Sequence, residues 1–81
     1  IYIANDNDLG LCRDIYTNSM DQAHRGSELL ESGCVAVNTG VVALAEAPFG
    51  GIKQTGYGRE GGSNAIKDYL NVKYTHMGLK I

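Results

Sequence analysis

The sequence is poor in the features that mark nucleic-acid-binding and membrane proteins. Lys and Arg together number 7 against 9 Asp and Glu, so the net charge is −2 and no basic face is expected for nucleic acid or an anionic membrane. The longest apolar runs are four or five residues, far short of the roughly 20 that span a bilayer. Residues 1–10 hold neither a basic start nor an apolar stretch, so no secretory signal is expected.

Cysteine and histidine are scarce as well. Cys12 and Cys34 are too few for a disulfide framework and lack a CxxC spacing, so we expect two reduced, partly buried thiols in a cytoplasmic protein. His24 and His76 are isolated in the sequence, and no metal site is expected. The chain has no initiator Met, and we expect a fragment or a processed product.

The pattern of the first residues indicates short elements joined by a turn. Residues 1–5 are typical of the last turns of a helix, and residues 5–8 form a polar turn. Gly10 is expected to end that turn with a positive φ. Residues 11–17 alternate loosely between apolar and polar side chains, which predicts a short strand.

A helix and a second strand complete a βαβ unit. Asn18 or Ser19 can cap a helix that runs to about residue 32, and Gly33 is the expected C′ residue after it. The predicted inner stripe of this helix consists of Met20, Ala23, Ser27 and Leu30. Residues 34–37 have the composition of a buried parallel strand, so the crossover between the strands is expected to be right-handed.

The second half has little periodicity. Residues 38–62 are expected to form one long loop, and six of the thirteen residues from 50 to 62 are glycine. Ser63 is expected to cap a short helix that ends near residue 69, and residues 71–77 alternate like a terminal strand. A loop of this length inside a compact domain is uncommon, which favours a piece of a larger α/β protein.

One motif within the loop matches a phosphate-binding pattern at every position. Residues 56–61 read G-x-G-x-x-G, which could bring phosphates to backbone amides. The dinucleotide version needs a buried strand directly before it, and residues 50–55 are no such strand. Glu60 would also place a carboxylate beside the phosphates. Turn and packing roles for the glycines are therefore favoured, with Arg59 and Glu60 pinning the loop.

The same stretch carries a resemblance to a known family. Residues 48–62 read PFGGIKQTGYGREGG and closely resemble the pattern PFGG-x-K-x-S-G-x-G-R-E of the aldehyde dehydrogenase superfamily, with Thr55 in place of the serine. Residues 4–11, 31–38 and 68–74 are similar to further family segments, so the resemblance covers essentially the whole chain. Among subgroups it looks most like the succinate-semialdehyde dehydrogenase branch.

This resemblance implies a fold and a place within it. The chain would be the C-terminal part of an α/β catalytic domain, with a βαβ unit and a glycine-rich loop over residues 1–68. Residues 69–81 would form the terminal strand of the oligomerisation sheet. The implied partners are the rest of the parent chain, an aldehyde or semialdehyde substrate, and further copies in a dimer or tetramer.

The resemblance also implies substrate-binding residues. Phe49 matches the phenylalanine that helps to form the aromatic wall of the aldehyde tunnel, while a packing role under the loop is the alternative. Ala43 and Leu44 lie in the variable segment that contacts the substrate tail. Succinate-semialdehyde enzymes commonly have a serine there, and its absence favours a more hydrophobic or differently shaped semialdehyde. Glu46 is expected to brace the loop, since it would repel an anionic tail.

The chemistry itself is expected to lie outside the chain. The parent would oxidise the aldehyde with NAD or NADP through a cysteine nucleophile, and neither Cys12 nor Cys34 matches that residue. No catalytic, cofactor-binding or metal-binding residue is therefore predicted here, and the chain alone is expected to be inactive. Two alternatives remain open: an inactive remnant that acts as an interaction module, and a small phosphate-binding module built on residues 56–61.

Overall fold

The computed structural model describes residues 1–80 and begins with two short elements. Helix α1 spans Tyr2–Asn5 and strand β1 spans Leu9–Gly10. The Asn7 side chain closes the turn between them, because its Oδ1 accepts from Leu9 N at 2.8 Å and its Nδ2 donates to Ala4 O at 3.0 Å. The predicted helix end and polar turn are both confirmed.

The predicted βαβ unit is present. Strand β2 spans Cys12–Ile15, helix α2 spans Met20–Leu29, and strand β3 spans Cys34–Val37. The two strands pair in parallel, with Cys12 opposite Cys34 and Ile15 opposite Val37. Ser19 is the N-cap of α2, since its side chain accepts a hydrogen bond from Gln22 N at 3.2 Å.

Helix α2 is shorter than predicted, and two of the four residues of its predicted inner stripe are exposed, whereas Ala23 and Leu30 are partly buried. It ends at Leu29, and the backbone of its C-cap, Leu30, is already extended, so Gly33 is not its C′ residue. Met20 is 73% exposed and Ser27 is also exposed, which corrects two members of the predicted inner stripe. Gly26 is the buried residue of this helix, and a Cβ there would lie 2.6 Å from Ile15 Cδ1, so the side chain of Ile15 on β2 packs against the helix at this glycine.

The long loop contains β pairing that the sequence did not suggest. Strand β4 spans Ile52–Lys53 and pairs antiparallel with β1. The φ of Gly10 is not positive, so the predicted role in ending a turn is wrong. Gly10 is buried in β1, where a Cβ would lie 2.8 Å from Glu31 O and 2.9 Å from Ile52 Cγ1. Close approach between backbones therefore requires this glycine.

The last residues differ most from expectation. A short 3-10 helix spans Ala65–Tyr69, and its N-cap is Asn64 without a side-chain hydrogen bond, so Ser63 does not cap it. Residues 71–80 form no strand in the single chain, because no neighbouring strand pairs with them. Val72 is 102% exposed and Tyr74 is 84% exposed. An alternating segment without a partner cannot be assigned as a strand, and its pairing with another chain stays a prediction.

The described residues bury little apolar surface. Ala36, at 3% exposure, is the one apolar side chain in the core of this part of the chain. The accessible surface is 6975 Å², against about 4,700 Å² for a compact monomer of this mass. The radius of gyration is 18.4 Å, against about 12 Å for a compact domain of this length. Across residues 1–80, no helix is long and apolar enough to cross a membrane.

Candidate functional site

The glycine-rich loop folds back on itself around Phe49. Phe49 N donates to Glu60 O at 2.7 Å, and Glu60 N donates to Phe49 O at 2.8 Å. This pair of hydrogen bonds is an isolated antiparallel bridge. The Phe49 backbone is thereby fixed, and its side chain is half-buried rather than enclosed.

Arg59 holds the two arms of the loop together. Its guanidinium donates to Gly51 O at 2.9 Å and to Gly58 O at 2.8 Å, so both acceptors are neutral backbone carbonyls. The predicted pinning role of Arg59 is confirmed, and Glu60 contributes through its backbone. The sequence did not reveal that Glu60 lies beside Phe49, since the two are separated by a glycine-rich turn with no periodicity.

The geometry around residues 56–61 is that of a tight turn. The motif follows the two-residue antiparallel strand β4, and the 3-10 helix begins only at Ala65. Gly61 has φ 70°, and a Cβ there would lie 2.7 Å from Ala47 O. The glycines thus let the chain turn and pack closely. These residues form neither the strand nor the helix start that a dinucleotide loop requires, so they do not fit NAD or NADP.

Thr55 and Lys53 anchor the loop to the start of the chain. Thr55 Oγ1 accepts from the amide of buried Gly10 at 2.8 Å, which uses the hydroxyl that serine would also supply. Lys53 Nζ donates to Asn5 O and to Asn7 O, both at 3.1 Å, and lies 3.3 Å from Glu31 Oε2. The glycine-rich loop, α1 and the segment after α2 are therefore joined at one place.

The predicted substrate-contacting residues lie together. An open cleft of about 420 Å³ is lined by seven residues. They are Ala43, Leu44, Ala45, Ala47, Phe49, Glu60 and Gly61. Four of these seven are Ala or Leu and none is Lys or Arg, so the cleft is apolar, with one carboxyl group at Glu60. The structure thus brings all three predicted residues to one surface, although 43–44 and 49 belong to separate parts of the loop.

Backbone contacts brace the variable segment, and Glu46 does not. Ala47 N donates to Leu44 O at 3.2 Å, and Gly62 N donates to Ala45 O at 2.9 Å. Among the described residues, the Glu46 side chain makes neither a hydrogen bond nor an ion pair, so its expected bracing role is wrong. Side chains in this segment can therefore change without loss of the contacts that shape it.

Within residues 1–80, neither a metal-binding cluster nor an activated Cys12 is present. No group of three or more His, Cys, Asp or Glu side chains is placed to hold a metal ion there. The pKa of Cys12 is raised, first by burial, then by neighbouring Cys34 and Asp14, so Cys12 remains a thiol at neutral pH. A raised pKa is the opposite of what an activated nucleophile needs.

Comparison with known proteins gives a consistent result. A family model described as "Aldehyde dehydrogenase family" matches residues 1–75. The chain is 49% identical over 78 residues to a succinate semialdehyde dehydrogenase of Acinetobacter baylyi, covering 96% of this chain and 16% of that relative. It is 46% identical over 74 residues to a glutarate-semialdehyde dehydrogenase of Pseudomonas putida, covering 91% of this chain and 15% of that relative.

Solved structures agree with the sequence relatives. A succinate-semialdehyde dehydrogenase from Burkholderia pseudomallei superposes with a TM-score of 0.81 at 44% identity, covering 84% of this chain and 14% of that one. The chain therefore spans about one sixth of the length of the curated relatives that it matches.

Proposed function

This chain belongs to the aldehyde dehydrogenase family, and from that membership we propose that it is the C-terminal part of an NAD- or NADP-dependent enzyme that oxidises a semialdehyde to a carboxylate. Residues 1–68 would belong to the catalytic domain and residues 69–81 to an oligomerisation sheet. The nucleophile and the dinucleotide site would lie elsewhere in a cytoplasmic parent protein, which forms a dimer or tetramer.

One observation carries the proposed role of this chain. Ala43, Leu44 and Phe49 line a single cleft, to which the returning arm of the loop adds Glu60 and Gly61. In the proposal the cleft is one wall of the substrate path. It orients the aldehyde and excludes water, which raises the effective concentration of the reacting groups without supplying chemistry.

The exposed surface supports a role as part of a larger assembly. Tyr2 and Ile3 on α1 are 82% and 87% exposed, and Val72 and Tyr74 in the last segment are similarly uncovered. Apolar side chains exposed to this extent on two separate segments are unusual in a monomer that folds alone. We infer that the parent chain covers α1 and that another strand pairs with residues 71–77.

The charge of the cleft bears on the substrate. Its lining has a carboxyl group at Glu60 and no cation, so this wall would repel the distal carboxylate of a semialdehyde. In the proposal, this wall offers the distal carboxylate no donor, so its recognition in the wild type comes from other parts of the parent enzyme. Leu44, which is 60% exposed beside the cleft, would contact the tail close to that carboxylate, where a hydroxyl group could supply the missing donor.

Exchange of Leu44 for serine in the complete protein tests this role. A serine hydroxyl can donate to a carboxylate, and a hydrogen bond to a charged group is worth about 1.5–3 kcal/mol when buried. Because Leu44 is partly exposed, we expect the lower end of that range. The kcat/KM for succinate semialdehyde should therefore rise roughly tenfold relative to the kcat/KM for butanal.

The matched control is Val41→Ser. Val41 is 70% exposed on the same segment but does not line the cleft, so the ratio of the two substrates should stay unchanged. Equal responses of the anionic and the neutral aldehyde to Leu44→Ser would show that this wall does not contact the substrate tail. The same conclusion would follow if Val41→Ser changed the ratio as much as Leu44→Ser.

A further inference from the structure

The two cysteines of the chain face each other across the parallel strand pair. Cys12 and Cys34 are the first residues of β2 and β3 and are direct register partners. Neighbouring strands lie about 4.8 Å apart, and disulfides join Cα atoms about 4.4–6.8 Å apart. Register partners also project from the same face of the sheet, so both thiols are on one side.

The two thiols lie in one partly buried environment. Cys34 and Asp14 both raise the pKa of Cys12, in addition to the effect of burial, so Cys34 lies within interaction range of it. Both side chains are half-buried rather than enclosed among the described residues. The Cys34 thiol also lies 3.9 Å from Gly50 O, directly beside Phe49 in the glycine-rich loop.

We propose that Cys12 and Cys34 are a redox-responsive pair, which a hydroperoxide oxidises to a disulfide beneath the loop that carries Phe49. Nothing in the proposed dehydrogenase function uses these thiols, so the inference is independent of it. Disulfides in reducing compartments are usually transient or redox-sensing, and a link between adjacent strands would be of that reducible kind.

The chemistry balances in two steps with a peroxide as oxidant. Because the raised pKa of Cys12 keeps that group a thiol, the attacking group is the Cys34 thiolate. Its sulfur attacks the peroxide oxygen, which breaks the O–O bond and leaves a sulfenic acid on Cys34, with hydroxide as the leaving group. The second thiol attacks the sulfenic sulfur, forms the S–S bond and releases water. Two thiols lose two electrons and two protons in total, and one hydrogen peroxide becomes two waters.

A structural consequence follows at the cleft. Formation of the disulfide turns Cys34 Sγ toward β2, so its contact with Gly50 O is lost. Gly33 already touches the Gly50 carbonyl, which leaves the loop little room to move toward β3. We therefore expect oxidation to loosen the backbone at residues 49–51 and to shift Phe49, and a reductant such as dithiothreitol should reverse the change.

Peptide mapping of the complete protein tests the proposal directly. After treatment with hydrogen peroxide, a tryptic digest without reductant should contain one cross-linked species. It joins the peptide that ends at Arg13 to the peptide of residues 26–53, because cleavage is expected after Arg13, Arg25 and Lys53. Dithiothreitol should separate the two. The readout is a mass, so it does not depend on the catalytic activity of the parent.

Two variants provide the matched controls. Cys12→Ser and Cys34→Ser should each abolish the cross-linked species, and hydrogen–deuterium exchange at residues 49–51 should then no longer respond to peroxide. The wild-type digest decides the matter even if a variant fails to fold. Recovery of both peptides as sulfinic acids, or cross-linked only to other cysteines, would overturn the proposal. A cross-link without any change in hydrogen–deuterium exchange at residues 49–51 would overturn the expected loosening of the backbone around Phe49.

Discussion

Gly33 is the position at which a single methyl group should disturb the glycine-rich loop most. A Cβ at Gly33 would overlap Gly50 O, and it would lie 2.7 Å from Gly50 C and 3.0 Å from Gly51 Cα. All three atoms are backbone, so none can turn aside as a flexible side chain would. Gly33 N also donates to Gly10 O at 3.0 Å, which prevents the segment after α2 from retreating freely.

The expected cost of Gly33→Ala follows from these contacts. Extra atoms in a closely packed place cost about 1–3 kcal/mol, and loss of the Gly33–Gly10 hydrogen bond would add about 1 kcal/mol. We therefore expect destabilisation of about 2–4 kcal/mol. Because the displaced carbonyl belongs to the residue after Phe49, the KM for the aldehyde should rise as well.

The measurement compares two glycines of the same chain in the complete protein. Gly40→Ala is the control, because a Cβ at that position meets only the Tyr16 hydroxyl at 3.8 Å and should change stability by less than about 0.5 kcal/mol. Thermal unfolding is followed for both variants and the wild type under identical conditions. Equal midpoints for Gly33→Ala and Gly40→Ala would refute the close approach of residues 33 and 50.

Two further substitutions test side chains that anchor the fold, and the free energy of unfolding of each variant is the measurement. Thr55→Val removes the acceptor of the Gly10 amide while keeping the shape of the side chain, so it should cost about 0.5–1.5 kcal/mol. Thr55→Ser is the control and should retain that hydrogen bond. Equal losses of stability for the two variants would show that the hydrogen bond does not stabilise the fold. Ser19→Ala removes the cap that accepts from Gln22 N and should cost about 1 kcal/mol. Ser63→Ala should be neutral because Ser63 makes no cap, and an equal loss at Ser63 would contradict the assigned helix start.

The βαβ unit was predictable because its signals are local. Strand β3 at Cys34–Val37 is a short β-branched run, and Ser19 is a typical capping residue before a helix. Such features depend on the preferences of a few consecutive residues. Tertiary contacts had little part in them, so the sequence alone was enough to predict both the elements and their order.

Glycine roles were harder to predict because they depend on what approaches from elsewhere. Gly10 and Gly33 both follow polar stretches, which favoured a turn and a helix end. Both are instead places where another backbone comes close, at Glu31 O and Gly50 O respectively. Those partners are 21 and 17 residues distant in the sequence. The apolar periodicity of a segment does not predict contacts with so distant a backbone.

The terminal segment shows the same limit for strands. Residues 71–77 alternate as a strand should, yet the single chain provides no edge with which they could pair. An alternating pattern reports one buried face and says nothing about which chain covers it. The pattern therefore predicts a strand only together with a partner, and residues 71–77 should be tested in the assembled protein.

The candidate site lies between these two cases. Family motifs identified Phe49, and the variable segment identified Ala43 and Leu44, but only the fold places them on one cleft. The loop is held by backbone hydrogen bonds, by Arg59 and by glycines that tolerate no side chain, whereas the side chains lining the cleft take no part in those contacts. The side chains of residues 43–45 can therefore change to suit different aldehydes, while the contacts that hold the loop stay the same. This separation explains why the residues that hold the loop match the family motif, whereas residues 43–45 do not.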